Sequence, residues 1–285
     1  MDRKAIARET LTIMEQGYYI VQPSGKDQET DPVRIDIKED MEQSIRRSIL
    51  ITPDQGETIL KRYQACPGTT AGAEPVEVVV EDIATVDAIR RLAAAGKERI
   101  GVLNFASAKN PGGGFINGAM AQEESLAASS TLYRTLTVHE AYYKANRASS
   151  SMAYTDHGIY SPDVVFFRDG GFRLTLPVKA SVLTLPAVNL GQVLQKGQDE
   201  GVARRVMKRR MALALAIFAE QGAKTLVLGA YGCGVFRNDP RDVAVWWKEL
   251  LEEGMGRYFD LVDHAVLDRS REQKCLRAFR AVWPG

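Results

Sequence analysis

The sequence is poor in cysteine, in excess charge and in long apolar runs, and each shortage removes a class of protein. Only three cysteines, Cys66, Cys233 and Cys275, are spread over 285 residues. With an odd count, no CxxC pair and no histidine at zinc-ligand spacing, neither a disulfide framework nor a structural zinc site is expected. A reduced, cytoplasmic protein fits that usage. Lysine and arginine number 37 against 36 acids, a formal charge of +1. A chain so balanced has no global hold on a polyanion, and a phosphate-bearing ligand must be gripped by a local site. The longest apolar run, Met211 to Ala219, falls far short of the roughly 20 residues that span a bilayer. The segment Met1 to Glu9 mixes charges of both signs where a signal peptide needs an apolar stretch. Neither a membrane partner nor export is expected. What is present, 45% hydrophobic and 26% charged residues, is ordinary globular composition.

Residues 1 to about 74 read as an accessory α+β extension. A helix-like start (Arg3 to Glu15) is followed by two short β-like runs (Tyr18 to Val21, Val33 to Ile37) around a polar turn at Ser24–Pro32. Ala65 to Ala73, rich in small residues and breakers, is the candidate linker. From Pro75 to Gly285, apolar runs at Val76–Val80, Ile100–Leu103, Val182–Leu185, Thr225–Leu228 and Phe259–Val266 alternate with helical patterns near 84–95, 122–133, 200–221, 239–253 and 270–281. That rhythm predicts a mixed sheet between helices. One hairpin interrupts it, with Asp169-Gly170-Gly171 as the turn between Val164–Arg168 and Phe172–Leu176.

Ligands of open α/β sheets sit where strand ends feed helix N-termini, and two such loops are rich in glycine. The first runs from Asn104 through Ser107, Asn110 and Gly112-Gly113-Gly114 to Gln122-Glu123-Glu124, where a helix opens. Three glycines let the backbone approach a ligand and turn its N–H groups toward it. Acidic residues in a first turn also suit the helix dipole with no further role. Adjacent helical residues project about 100° apart, so Glu123 and Glu124 cannot oppose one another across a single bond. If both are functional, one binds hydroxyls while the other handles protons. The second loop, Gly229 to Asp239, carries Gly232-Cys233-Gly234-Val235-Phe236 between a strand and a helix, a plausible diphosphate cradle of backbone donors. Cys233 also resembles a nucleophile on a sharp turn. No motif ties His139, His157 or His264 to it.

Taken together, these loops resemble the macrodomain superfamily, and within it the bacterial type of poly(ADP-ribose) glycohydrolase. That family carries a GGG followed after six to eight residues by QEE; here seven residues, Phe115 to Ala121, separate them. The segment Gly232 to Phe236 is similar to the family's diphosphate-binding segment, and Val80-Glu81-Asp82-Ile83 to the one whose aspartate meets adenine. The resemblance implies a macrodomain-like three-layer α/β/α sandwich with a mixed sheet over 75–285, preceded by the small extension over 1–74. It implies an enzyme that hydrolyses ribose–ribose O-glycosidic bonds, mainly from chain ends, and releases ADP-ribose. Glu124 would be the acid/base and Glu123 would hold ribose hydroxyls. Gly112, Gly113 and Gly114 would line the distal ribose and diphosphate, Gln122 and the second loop including Cys233 and Val235 would complete the pocket, and Phe236 would press the ribose toward Glu124. Asp82 would meet adenine, and either Asn110 or Ser107 would hold a hydroxyl.

Breaking such a bond needs a proton at the leaving oxygen, which Glu124 supplies if burial and nearby phosphate charge raise its pKa. No metal or cofactor is required. The expected partners are poly(ADP-ribose), ADP-ribose and the ADP-ribosylated proteins that carry the polymer, bound by a monomer. A non-catalytic reader, or a hydrolase of another ADP-ribosyl linkage on protein or nucleic acid, would use the same pocket. The basic run Arg204 to Arg210 is either a solvated helix face balanced by acids or a track for polymer phosphates.

Overall fold

The structure is a computed structural model that describes residues 2–22, 31–64 and 75–284. The candidate linker, Cys66 and most of the polar turn lie outside the described residues. Helix α1 (Arg3–Gln16) starts where the Asp2 carboxylate accepts from the Lys4 and Ala5 amides, and stops at Gly17, whose φ of 77° suits a residue without Cβ. Strands β1 (Tyr18–Val21) and β2 (Val33–Asp36) form a separate antiparallel ribbon. Next come α2 (Lys38–Arg47), β3 (Ile49–Ile51) and α3 (Pro53–Gln64). These three elements were not expected, and β3 does more than cover the sheet, because it is its edge strand, antiparallel to β6 (Gly158–Arg168).

The remaining strands are β4 (Glu77–Glu81), β5 (Ile100–Phe105), β7 (Leu174–Leu185), β8 (Thr225–Leu228) and β9 (Leu261–Ala265), all mutually parallel. The seven-stranded order is β3-β6-β7-β5-β8-β9-β4. Helices α4 (Thr85–Ala94), α5 (Gln122–Ser129), α6 (Leu132–Thr137) and α7 (Glu140–Ala148) cover one face. On the other lie α3, α8 (Leu190–Gln195), α9 (Glu200–Glu220), α10 (Pro240–Glu252) and α11 (Lys274–Val282). The macrodomain-like α/β/α sandwich expected from the sequence is the observed fold.

Buried apolar residues on both faces hold the sandwich together. On α9 every residue from Met211 to Phe218 is buried, and each large one contributes about 1.5–3 kcal/mol relative to exposure. Gly101 of β5 is small for a reason: a Cβ there would lie 2.8 Å from the Phe218 ring. Tyr142, Tyr143 and Trp247 are core residues too, at most 2% exposed.

Four of the five basic residues in the run of α9 are paired within the molecule, and Arg205 is left exposed. Arg204 pairs with Asp242 at 2.6 Å and Lys208 with Glu249 at 2.7 Å. Arg209 bridges Glu57 and Asp156, while Arg210, 1% exposed, holds Asp156 and the carbonyls of Ala153 and Pro186. The run therefore fastens α9 to α3, α10 and the loop before β6. It is not a free track for phosphates.

Two local expectations need correction. The helix expected over 122–133 breaks at Ser130, whose φ of −151° is extended; its hydroxyl donates to the Leu126 carbonyl and accepts from the Leu132 amide. A Ser-Ser-Thr run that can bond its own backbone gives up the helix readily. At the hairpin, neither Gly170 nor Gly171 has positive φ, and Phe172 does, at 64°. Gly170 serves close approach instead: its amide donates to Asp87 Oδ1 at 2.7 Å, and a Cβ would lie 2.7 Å from Asp87 Cγ.

Candidate active site

The carboxyl ends of β5, β8 and β9 are neighbours in the sheet, and the loops leaving them enclose a cavity of about 760 Å³. Its walls are Phe105–Ser107 after β5, Ala230 and Gly232–Phe236 after β8, Ala265–Arg269 after β9, and the N-terminal residues of α4 and α5. This is where an open α/β sheet places a ligand.

Gln122, Glu123 and Glu124 open α5 and point three ways, as helical spacing requires. Gln122 lines the wall, yet its amide serves the scaffold: Oε1 accepts from the Phe105 amide at 2.9 Å and Nε2 donates to the Leu103 carbonyl at 2.8 Å. Expected to touch ligand, it instead splices the helix onto the end of β5. Glu123 points inward and is 3% exposed. Its Oε2 accepts from the Ser107 amide at 2.6 Å and its Oε1 from Asn104 Nδ2 at 3.2 Å. Burial dominates these bonds and pushes the Glu123 carboxyl up to about 8, with the Glu124 charge adding to the rise. Glu124 is half-buried at the cavity wall. Its Oε1 accepts from the Gly114 amide at 3.0 Å and its Oε2 from the Ala121 amide at 2.9 Å, closing one side of a capping box. Four backbone and side-chain donors thus fix both carboxyls before any ligand arrives.

The three glycines do three different things. Gly112 (φ 65°) turns its missing Cβ toward Phe115, Ala127 and Tyr133, while its backbone favours the charged form of Glu123. Gly113 (φ 58°) lies directly against the glutamates, and a Cβ would sit 2.9 Å from Glu124 Cδ and 3.2 Å from Glu123 Oε2. Gly114 supplies the amide that holds Glu124. Ser107 is in the wall, whereas Asn110 is exposed on the turn beyond it and does not line the cavity. Asp82 also lies outside the lining; its carboxylate accepts from the Asp268 amide and Gln273 Nε2, both at 3.3 Å, and so braces the loop after β9.

In the second loop Gly232 (φ 73°) turns the chain, and Asn238 pins that turn by donating to the Gly232 and Val188 carbonyls. Gly234 and Val235 are exposed on the cavity side, and Phe236 stands beside Tyr154 with ring centroids 6.0 Å apart. Cys233 lines the wall, but burial pushes its thiol well up. No imidazole reaches it: His139 bonds Ser48, His157 bonds Thr155, and His264 is buried among Trp247, Phe279 and Trp283. The nucleophile reading fails on that geometry. Among the described residues no group of three or more His, Cys, Asp or Glu could hold a metal ion.

Sequence reasoning missed Asn104 and Thr184, cross-strand partners on β5 and β7 whose side chains meet at 3.1 Å beneath Glu123. An asparagine within an apolar strand run was the available signal. It also missed Met120, in the first loop itself, and Arg3 and Phe172, which reach the cavity from elements distant in sequence.

Fold and site define an α/β/α domain that presents a fixed carboxyl pair beside a glycine-rich loop at the ends of the central strands. Comparison with known proteins places it within that class. Residues 7–169, more than half the chain, match the model of the microbial-type PARG catalytic domain. A crystal structure of poly(ADP-ribose) glycohydrolase from Thermomonospora curvata is 37% identical over 99% of each chain, with a TM-score of 0.90. The same protein bound to the inhibitor ADP-HPD matches at 37% identity over 98% of each chain, with a TM-score of 0.86. Poly(ADP-ribose) glycohydrolase from Deinococcus radiodurans in complex with ADP-ribose is 41% identical over 85% of this chain and 96% of that one, with a TM-score of 0.79. No curated protein sequence matches the chain. The chain belongs to the microbial-type poly(ADP-ribose) glycohydrolase family.

Proposed function

We propose that this glycohydrolase cleaves the ribose–ribose O-glycosidic bond of poly(ADP-ribose) from chain ends, releasing ADP-ribose, with Glu124 as general acid and base. The observation that carries the reading is the division of labour between the two glutamates. A group that protonates a leaving oxygen and then takes a proton from water must meet both, and Glu124, half-buried at the wall, can. Glu123 also lines the cavity, but at 3% exposure it is the less open of the two to water. With its carboxyl pushed up to about 8 it keeps its proton at neutral pH, which suits a hydrogen-bond donor to a ribose hydroxyl.

The diphosphate of the terminal unit rests on the amides of Gly234 to Phe236, held by dipoles instead of lysines; the Cys233 amide donates instead to the Ala230 carbonyl. Phe236 closes over the distal ribose. As the glycosidic bond lengthens, positive charge grows on the anomeric carbon and negative charge on the leaving oxygen. Glu124 gives its proton to that oxygen; water then attacks the anomeric carbon and returns a proton to Glu124. Positioning by the glycine loops contributes the larger share of rate, and acid–base help about 10²- to 10⁴-fold. ADP-ribosylated proteins are the carriers of the polymer in this reading.

The test is incubation of the chain with defined poly(ADP-ribose), mono-ADP-ribosylated protein and ADP-ribosylated DNA, with free ADP-ribose quantified. Release from the polymer alone is expected. Release only from the other two substrates contradicts the proposal.

A further inference from the structure

The cavity does not end at the glutamates. Beyond Glu124 it continues to Arg3, Met120 and Phe172, contributed by α1, the first loop and the β6–β7 turn. None of these belongs to the cradle after β8. Helix α1 packs on the turn Phe115–Asn117 and on α5, the helix that Glu124 opens. A Cβ on Gly118 would lie 3.5 Å from Arg3 Cβ, which sets the start of α1 against the stretch leading into Ala121 and Glu124.

Each of the three residues is held as a ligand-facing group would be. Arg3 is exposed and meets no carboxylate within ion-pair distance among the described residues, unlike Arg204, Arg209 and Arg210 of α9. Met120 lines the cavity and keeps 40% of its surface exposed. Phe172 occupies the left-handed region at φ 64°, a conformation an L-residue adopts only at a cost. Its carbonyl accepts from Arg168 Nη1 at 2.9 Å, and the same guanidinium, 3% exposed, pairs with Glu9 of α1 at 2.7 Å. One buried arginine therefore fixes the strained aromatic and ties it to the helix that carries Arg3.

We propose that Arg3, Met120 and Phe172 form a subsite for the penultimate ADP-ribosyl unit, the guanidinium taking its diphosphate and the ring and thioether flanking its adenine. The inference rests on the functional reading above and extends it. A cation for phosphate and an aromatic face for a base are the pairing that single-stranded polynucleotides require. It also gives the N-terminal extension a role in selecting polymer over monomer.

The test uses the full chain with Arg3→Ala, Arg3→Lys and Phe172→Leu. KM for poly(ADP-ribose) and the affinity for ADP-ribose monomer are measured at several salt concentrations. Arg3→Ala is expected to raise KM for polymer about five- to tenfold, with a weaker salt dependence and unchanged monomer affinity; lysine restores part of the loss. Arg3 is exposed, so its variants remain informative if Phe172→Leu fails to fold. Unchanged polymer KM in Arg3→Ala, or an equal loss for polymer and monomer, overturns the subsite. A wild-type chain that releases nothing from polymer overturns the functional reading instead.

Discussion

Replacing Glu123 with glutamine removes a titrating group from the interior, and the effect on stability follows from its environment. Folding moves that carboxyl from its ordinary value of 4.5 up to about 8, mainly by desolvation. The folded state therefore binds the proton more tightly than the unfolded chain, and stability falls as pH rises from about 4.5 to about 8. Each pKa unit is worth 1.36 kcal/mol, so the loss is about 3 kcal/mol at pH 7 and about 5 kcal/mol above pH 8. Glutamine stays neutral throughout. Its carbonyl can still accept from the Ser107 amide, and its Nε2 meets Asn104, whose Oδ1 is buried with no partner and can turn to accept. The residual hydrogen-bond cost is about 1 kcal/mol. Urea unfolding of both proteins between pH 5 and pH 9 measures the difference, which cancels the other titrating groups. The variant should be equal or slightly weaker at pH 5 and more stable by a few kcal/mol at pH 9. Parallel curves would falsify the assignment of a buried, proton-holding Glu123.

Gly113→Ala should cut turnover by more than about a hundredfold with the fold retained, because a Cβ there collides with Glu124; wild-type kinetics in the variant would remove Gly113 from the site. Asn104→Leu should shift the pH profile of kcat/KM and weaken ADP-ribose binding, since it strips a donor from Glu123 and leaves Thr184 unpaired; an unaltered profile would show that Asn104 only fills space. Cys233→Ser should keep most activity, and the wild-type thiol should react slowly with alkylating reagents at pH 7; rapid inactivation protected by ADP-ribose would reopen the thiol's role. Arg168→Leu should destabilise the protein by about 1–2 kcal/mol, read by thermal unfolding, because the Phe172 carbonyl loses its partner while the half-exposed Glu9 is left to water.

The parallel strands were legible because buried strands between helices are short and continuously apolar, as at Thr225–Leu228 and Ile100–Phe105. β3 was not: three residues on a sheet edge, Ile49 to Ile51, carry too little pattern to distinguish a strand from a loop. The carboxylate pair and both glycine loops were visible because their chemistry is local in sequence. The roles within them were not. Only the fold shows that Gly112 leaves room for Phe115, Ala127 and Tyr133, that Gln122 binds backbone, and that Glu123 is the buried member of the pair. Arg3, Asn104, Thr184 and Phe172 act through contacts between residues far apart in the chain, which no spacing rule records.

The central claim, that one half-buried carboxyl moves the proton while the glycine loops bind the nucleotide, is tested most directly by Glu124→Gln. The amide keeps the shape of the side chain and can still accept from Gly114, so the pocket survives. Release of ADP-ribose from polymer should fall by about 10²- to 10⁴-fold while the dissociation constant for ADP-ribose, measured by calorimetry on the same preparation, stays within a few-fold of wild type. Turnover at the wild-type rate would contradict the account, and so would a loss of activity matched by an equal loss of binding.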